Sequence, residues 1–187
     1  MSLLTALDAT MSSESIVDMM LEAARASCDF YIDTTPSDGI PYWDTGAPGL
    51  AEMPGHRERP ADPHNGHEPV DSSAAAIACQ GLVRLGRVLE STDPVAAQHY
   101  TLAGLTTLAT LLDAPYLSTD PDHQGLLLHA VYHRPNGWDH VPEDSSIPRG
   151  ESCLWGDYHL REAAVYAGRL ARGQEHSFFG AEAGGLS

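Results

Sequence analysis

The chain has 187 residues, 42% hydrophobic and 7% aromatic, a composition that supports one packed domain and argues against a disordered or fibrous polypeptide. Its 26 acidic residues face 10 basic ones, all of them Arg, for a formal net charge of −16. Such a surface repels phosphate backbones and anionic headgroups, so nucleic acid and membranes are excluded as partners, and an anionic ligand requires a locally basic pocket.

In chain order, the opening MSLLTALDATM lacks a basic segment and has too short an apolar run for a signal peptide. Behind a Ser-rich cap at Ser12 and Ser13, Ile16, Met19, Met20, Ala23, Ser27 and Phe30 recur at spacings of three and four, which predicts an amphipathic helix over 13–33. Pro36, Asp38 and Gly39 end it. Residues 39–70 hold six prolines and no periodicity, the signature of a long irregular loop, and loops of that length are functional or disordered. Asp71, Ser72 and Ser73 then supply cap residues for a second helix with a stripe of Ala74, Ile77, Ala78, Gly81, Leu82, Leu85, Val88 and Leu89, whose small first half permits close helix packing. Asp93 with Pro94 starts a third helix that carries Tyr100, Ala103, Leu105, Leu108, Ala109 and Leu112. The short turn between them predicts an antiparallel hairpin. Residues 125–133 fit a short helix or a strand, 134–150 a Pro/Gly-rich loop, and 154–172 a last helix with Tyr158, Ala163, Tyr166, Ala167 and Leu170.

No period-two pattern is long enough for a sheet, so the fold is expected to be all-α: helical hairpins joined by long loops in a single domain over 1–187. Cys28, Cys79 and Cys153 are odd in number and form no Cys-x-x-Cys pair, which fits reduced, mostly buried thiols in a reducing compartment. No stretch approaches the roughly 18 apolar residues of a membrane span, and a cytoplasmic location is expected. His56, His64 and His67, with Asp62 and Glu68 nearby, lack the partners and helical spacing of a zinc motif, so no metal or other cofactor is expected.

Four segments carry a family resemblance: Asp38 to Pro48 (DGIPYWDTGAP), Asp71 to Ala78 (DSSAAAIA), Gly125 to His133 (GLLLHAVYH) and Glu151 to Tyr158 (ESCLWGDY). In order and spacing they resemble glycoside hydrolase family 88, the unsaturated glucuronyl hydrolases. The family fold is an (α/α)6 barrel of about a dozen helices in a chain roughly twice this length, so the resemblance covers the C-terminal portion. It implies an exo-acting hydrolase that removes an unsaturated uronic acid from lyase-derived oligosaccharides, with an Asp as general acid protonating the C4=C5 enol ether. That Asp lies upstream of every matching segment; the catalytic residue is unknown in this chain. A non-catalytic sugar-binding or interaction module is the alternative, and an unsaturated rhamnogalacturonyl hydrolase is the alternative enzyme. An open barrel portion is further expected to self-associate or to pair with an N-terminal partner chain that completes the ring.

The candidate binding residues are Trp43, Asp44, Tyr132, His133, Ser152, Trp155 and Asp157. Trp43 and Trp155 are polarised aromatics that can stack on sugar C–H faces or simply fill core. Tyr132 and His133 offer hydrogen bonds beside a loop, in a segment that in the resembled family lines the active-site mouth. Ser152, just before a helix N-terminus, suits a substrate carboxylate or an ordinary cap. Asp44 and Asp157 are the best-placed acids, and both read better as structural, Asp157 as a cap or an acceptor for backbone amides. Arg134 and Arg149 are the basic residues of the late loops.

Overall fold

The computed structural model describes residues 13–174; Ser12 and the opening MSLLTALDATM lie outside them. Four α-helices make the architecture: α1 (Ser13–Thr34), α2 (Ser72–Leu89), α3 (Pro94–Leu111) and α4 (Leu154–Ala171). Two 3-10 turns, Pro48–Glu52 and Arg134–Asn136, interrupt the long connections. Among the described residues β pairing is confined to two isolated bridges, Tyr42 with Val70 and Leu117 with Leu127. The all-α expectation therefore holds, and 125–133 is neither helix nor strand but an irregular segment anchored by one of those bridges.

The helix starts follow from their caps. Asp71 accepts hydrogen bonds from the amides of Ser73 and Ala74, Asp93 accepts from that of Ala96, and Pro94 takes the first helical position, where a missing N–H costs nothing. The α2–α3 turn closes through Thr92 N donating to Leu89 O at 3.0 Å and Asp93 N to the same carbonyl at 2.8 Å. The hairpin is tight because glycines face the partner helix. A Cβ on Gly86 would stand 2.1 Å from Thr101 Oγ1, and one on Gly104 would stand 2.7 Å from Val83 Cγ2. α1 is fastened across the hairpin by an Arg25–Asp93 ion pair at 3.0 Å and by the Tyr100 hydroxyl donating to Asp29 at 2.7 Å.

The core has two parts. Leu82, Leu85, Leu89, Ala97 and Tyr100 fill the space beside α1. The other part joins Ala75, Cys79, Leu111 and Leu160 from the helices to Ile40, Tyr42, Met53 and Val70 from the 39–70 excursion, which is thus packed into the body of the domain. The buried face of α2 runs through Ala75, Ala76, Cys79, Leu82, Val83 and Gly86, while Ile77 and Val88 from the expected stripe are 46% and 64% exposed. Leu105 of α3 and Leu112, just past its end, are exposed as well. Small residues sit beside Leu82, Val83, Leu85 and Leu89 on the buried side of α2, and Ile77 and Val88 fall outside it. Val95, Leu102 and Leu105 leave α3 with an exposed apolar face, and Ile16, Val17, Met19 and Met20 do the same for α1.

The two long excursions are laced together. Arg149 donates one nitrogen to His64 Nδ1 at 3.0 Å and pairs with Asp144 through another, and Ser146 Oγ donates to Gly66 O at 3.3 Å. Beneath them His129, buried and with φ at 66°, accepts from Gly150 N at 3.2 Å and meets the His64 ring edge-on at 5.4 Å. Burial, reinforced by His64 and Arg149, lowers its pKa to about 4, so the imidazole is neutral.

Candidate functional site

The four segments singled out in the sequence meet at one end of the helix array, around the N-termini of α2 and α4. Asp71 N donates to Pro41 O at 2.8 Å and Trp43 N to Pro69 O at 3.1 Å, which joins the first segment to the second. Ser72 N donates to His129 O at 3.1 Å and Ser72 Oγ to Leu128 O at 2.7 Å, which joins the second to the third. Ala130 N donates to Glu151 O at 3.0 Å, and the indole of Trp155 donates to Ser73 Oγ at 3.1 Å, which brings in the fourth.

A cavity of about 370 Å³ opens there, lined chiefly by Tyr132, Trp138, Asp139, Glu151, Ser152 and Trp155. Its aromatics form a tilted stack. Tyr132 lies 5.4 Å from Trp155 with planes 29° apart and 5.9 Å from Trp138 at 32°, and His133 lies 4.9 Å from Trp138. Tyr132 is 56% exposed, Trp138 62% and Trp155 37%, so the stack as a whole is accessible to a ligand. Asp139 closes the 132–139 loop, accepting from Tyr132 N with one oxygen and from His133 N at 3.0 Å with the other. Asp139 and Glu151 line it with carboxylates and His140 with an imidazole, and the lining residues include neither Arg nor Lys.

Of the seven candidates, the cavity gathers Tyr132, Ser152 and Trp155, with His133 packed behind Trp138. The Ser152 hydroxyl donates to Leu127 O at 2.8 Å. The ring nitrogen of His133 accepts from Asn136 N at 3.3 Å, capping the second 3-10 turn. Asp157 accepts from Leu126 N at 2.9 Å and Leu127 N at 2.8 Å, tying the third segment to the start of α4. Trp43 and Asp44 stand apart on the 39–70 excursion: the Trp43 indole donates to Glu68 at 2.8 Å, and the exposed Asp44 accepts from Gly46 N at 2.7 Å. Glu68 also accepts from Gly49 N at 2.8 Å, so it organises that loop. Arg149 is spent on His64 and Asp144.

Sequence reasoning did not single out Trp138, Asp139 or Glu151. Its available signal was an aromatic flanked by Gly137 and Asp139 in a loop, with no periodicity to weigh it. Among the described residues no group of three or more His, Cys, Asp or Glu side chains converges as a metal site would require. His56 is turned to Met53 O at 3.1 Å, and His64 is held by Arg149.

No protein-family model matches the chain. An unsaturated glucuronyl hydrolase of Bacillus sp. (strain GL1) is 30% identical over 154 residues, which is 82% of this chain and 33% of that protein. One from Formosa agariphila is 28% identical over 145 residues, 76% of this chain and 29% of that protein. The crystal structure of the Bacillus sp. GL1 enzyme, described as responsible for the degradation of glycosaminoglycan, matches with a TM-score of 0.57 over 82% of this chain and 33% of that chain. A heparin-specific unsaturated glucuronyl hydrolase reaches 0.61 at 23% identity over 83% of this chain and 35% of that one, a likeness of fold alone. The architecture is therefore part of an α/α barrel of the kind found in helical glycoside hydrolases. By sequence and by fold the chain is similar to the unsaturated glucuronyl hydrolases, spanning about a third of the length of the relatives it matches, an extent that fits the expected C-terminal portion.

Proposed function

We propose that this chain forms the sugar-stacking wall of an unsaturated uronyl hydrolase: Tyr132, Trp138 and Trp155 hold a lyase-derived oligosaccharide, with His133 and Ser152 shaping the pocket, while the rest of the barrel supplies the acid that protonates the enol ether. The observation that carries this reading is the exposed aromatic stack on the cavity. Pyranose C–H faces are weakly positive and apolar, and they pack on aromatic faces that an acidic protein still offers without charge. An aspartate variant of a 30% identical unsaturated glucuronyl hydrolase has been solved with dGlcA-Glc-Rha-Glc, which supports an oligosaccharide ligand here.

The acidic lining favours a neutral ring against this wall, with the uronate placed where the remainder of the barrel provides countercharge. Trp43, Asp44 and Asp157 serve the pocket indirectly, through the loops they order. Because Asp157 spends both oxygens on backbone amides and Asp44 accepts the Gly46 amide with one of its own, a non-catalytic sugar-binding module is the second reading. Completion of the barrel, by self-association or by an N-terminal partner, would cover the apolar faces of α1 and α3. A cytoplasmic location fits the unpaired thiols of Cys28, Cys79 and Cys153. No helix of the described residues is long and apolar enough to cross a membrane.

The test is titration of the chain with unsulfated and sulfated unsaturated disaccharides. Saturable binding of the unsulfated form is expected. Absence of binding, both alone and with the remainder of a family barrel added, overturns the reading.

A further inference from the structure

We propose that Asp71 and Ser73 are positioning residues that set the spacing of the Tyr132–Trp155 stack, a role that rests on the reading of that stack as a sugar wall. An N-cap carboxylate has to satisfy the first amides of its helix, and Asp71 does so, accepting from Ser73 N at 3.0 Å and Ala74 N at 3.3 Å. The same oxygen accepts two further hydrogen bonds that capping does not explain: the Ser73 hydroxyl at 2.6 Å and the amide of Val131 at 3.3 Å.

Each of these leads to one half of the stack. Ser73 Oγ donates its single proton to Asp71 and in turn accepts the indole N–H of Trp155 at 3.1 Å, so the carboxylate orients the hydroxyl lone pairs toward Trp155. Val131 immediately precedes Tyr132, so its amide fixes where the Tyr132 ring leaves the backbone. One oxygen of one carboxylate thus holds both rings, which lie 5.4 Å apart.

The packing of α4 on α2 agrees. A Cβ on Gly156, next to Trp155, would stand 3.1 Å from Ser73 Cβ and 3.2 Å from Cys153 Sγ; the bare glycine lets the start of α4 approach closely enough for the indole to reach Ser73. Ser73 itself is 2% exposed, so water does not compete for the indole.

Two substitutions separate this role from capping. Ser73→Ala removes the acceptor for Trp155. Asp71→Ser keeps a good N-cap, but its shorter side chain cannot hold the Ser73 hydroxyl and the Val131 amide together. The readouts are the indole N–H resonance and hydrogen-exchange rate of Trp155, assigned among the three tryptophans of the full chain, and affinity for an unsulfated unsaturated disaccharide.

Both variants are expected to shift the Trp155 resonance, speed its exchange at least about tenfold and weaken the disaccharide about tenfold, with the Trp43 and Trp138 resonances in place. An unchanged Trp155 resonance and exchange rate overturns the positioning role whatever happens to affinity. So does a shifted resonance with affinity equal to the parent. If the parent chain, with or without added barrel, binds no disaccharide while the Trp155 resonance still moves, the sugar-wall reading falls and the geometric link between Asp71, Ser73 and Trp155 stands.

Discussion

Trp155 and Tyr132, far apart in sequence, stack with their ring centres 5.4 Å apart, one at the start of α4 and the other at the rim of the loop before it. Both residues are partly exposed, 56% for Tyr132 and 37% for Trp155, and an exposed apolar patch beside a cavity is where a ligand docks. Trp155→Ala removes the larger ring and is expected to weaken disaccharide binding about tenfold, read by calorimetric titration. Helical content by circular dichroism should stay as in the parent.

Asp157→Asn addresses whether that carboxylate does chemistry or holds structure. The native side chain accepts from two successive amides, and an asparagine can offer one oxygen while presenting an NH2 group to the other. A loss of about 1–2 kcal/mol in denaturant unfolding is expected. If turnover by a completed barrel disappeared while stability stayed unchanged, Asp157 would be an acid after all.

Gly86→Ala tests the hairpin. Alanine gains about 1 kcal/mol of helix propensity over glycine, but its Cβ would sit 2.1 Å from Thr101 Oγ1 and 2.8 Å from the Ala97 carbonyl. The backbone carbonyl cannot rotate away, so sterics win, and net destabilisation of about 1–3 kcal/mol is expected in chemical denaturation.

His129 makes stability depend on pH. Its folded pKa of about 4 lies below the ordinary 6.5, so between those values the unfolded chain binds the extra proton, and stability rises with pH. The contribution is complete above about 6.5 and is lost as pH falls toward 4, amounting to about 3 kcal/mol for a residue this buried. Unfolding curves across that window should show the slope, and His129→Asn, which tolerates the positive φ, should flatten it.

The helices were legible because their ends carry chemistry that local sequence displays: Asp71 and Asp93 as caps, Pro94 at a first turn, Pro36 after a stop. Their orientation was less so. Ile77 and Val88 look like core by hydrophobicity, yet α2 leaves them exposed and buries Ala75, Cys79 and Gly86 beside Leu82, Leu85 and Leu89; the small residues of the stripe signalled close packing but not which side turns inward. The cavity was half legible. Tyr132, Glu151, Ser152 and Trp155 stood in recognisable segments, Glu151 without being weighed as a site residue, whereas Trp138 and Asp139 entered through loop geometry alone. The attachments of Ser152 and Asp157 to backbone groups depend on partners about 25 to 31 residues away, beyond what local spacing can show.

The lacing of 39–70 to 134–150 through Arg149, His64, Ser146 and Gly66 makes the two excursions one cooperative unit of local opening. Neither can lift without releasing the other, and His129 lies beneath the seam. The loop that carries Trp138 is therefore tied to a segment linked to it across 80 and 85 positions of the chain. Amides on both sides should exchange with a common opening free energy, and a single cut in either excursion should loosen both.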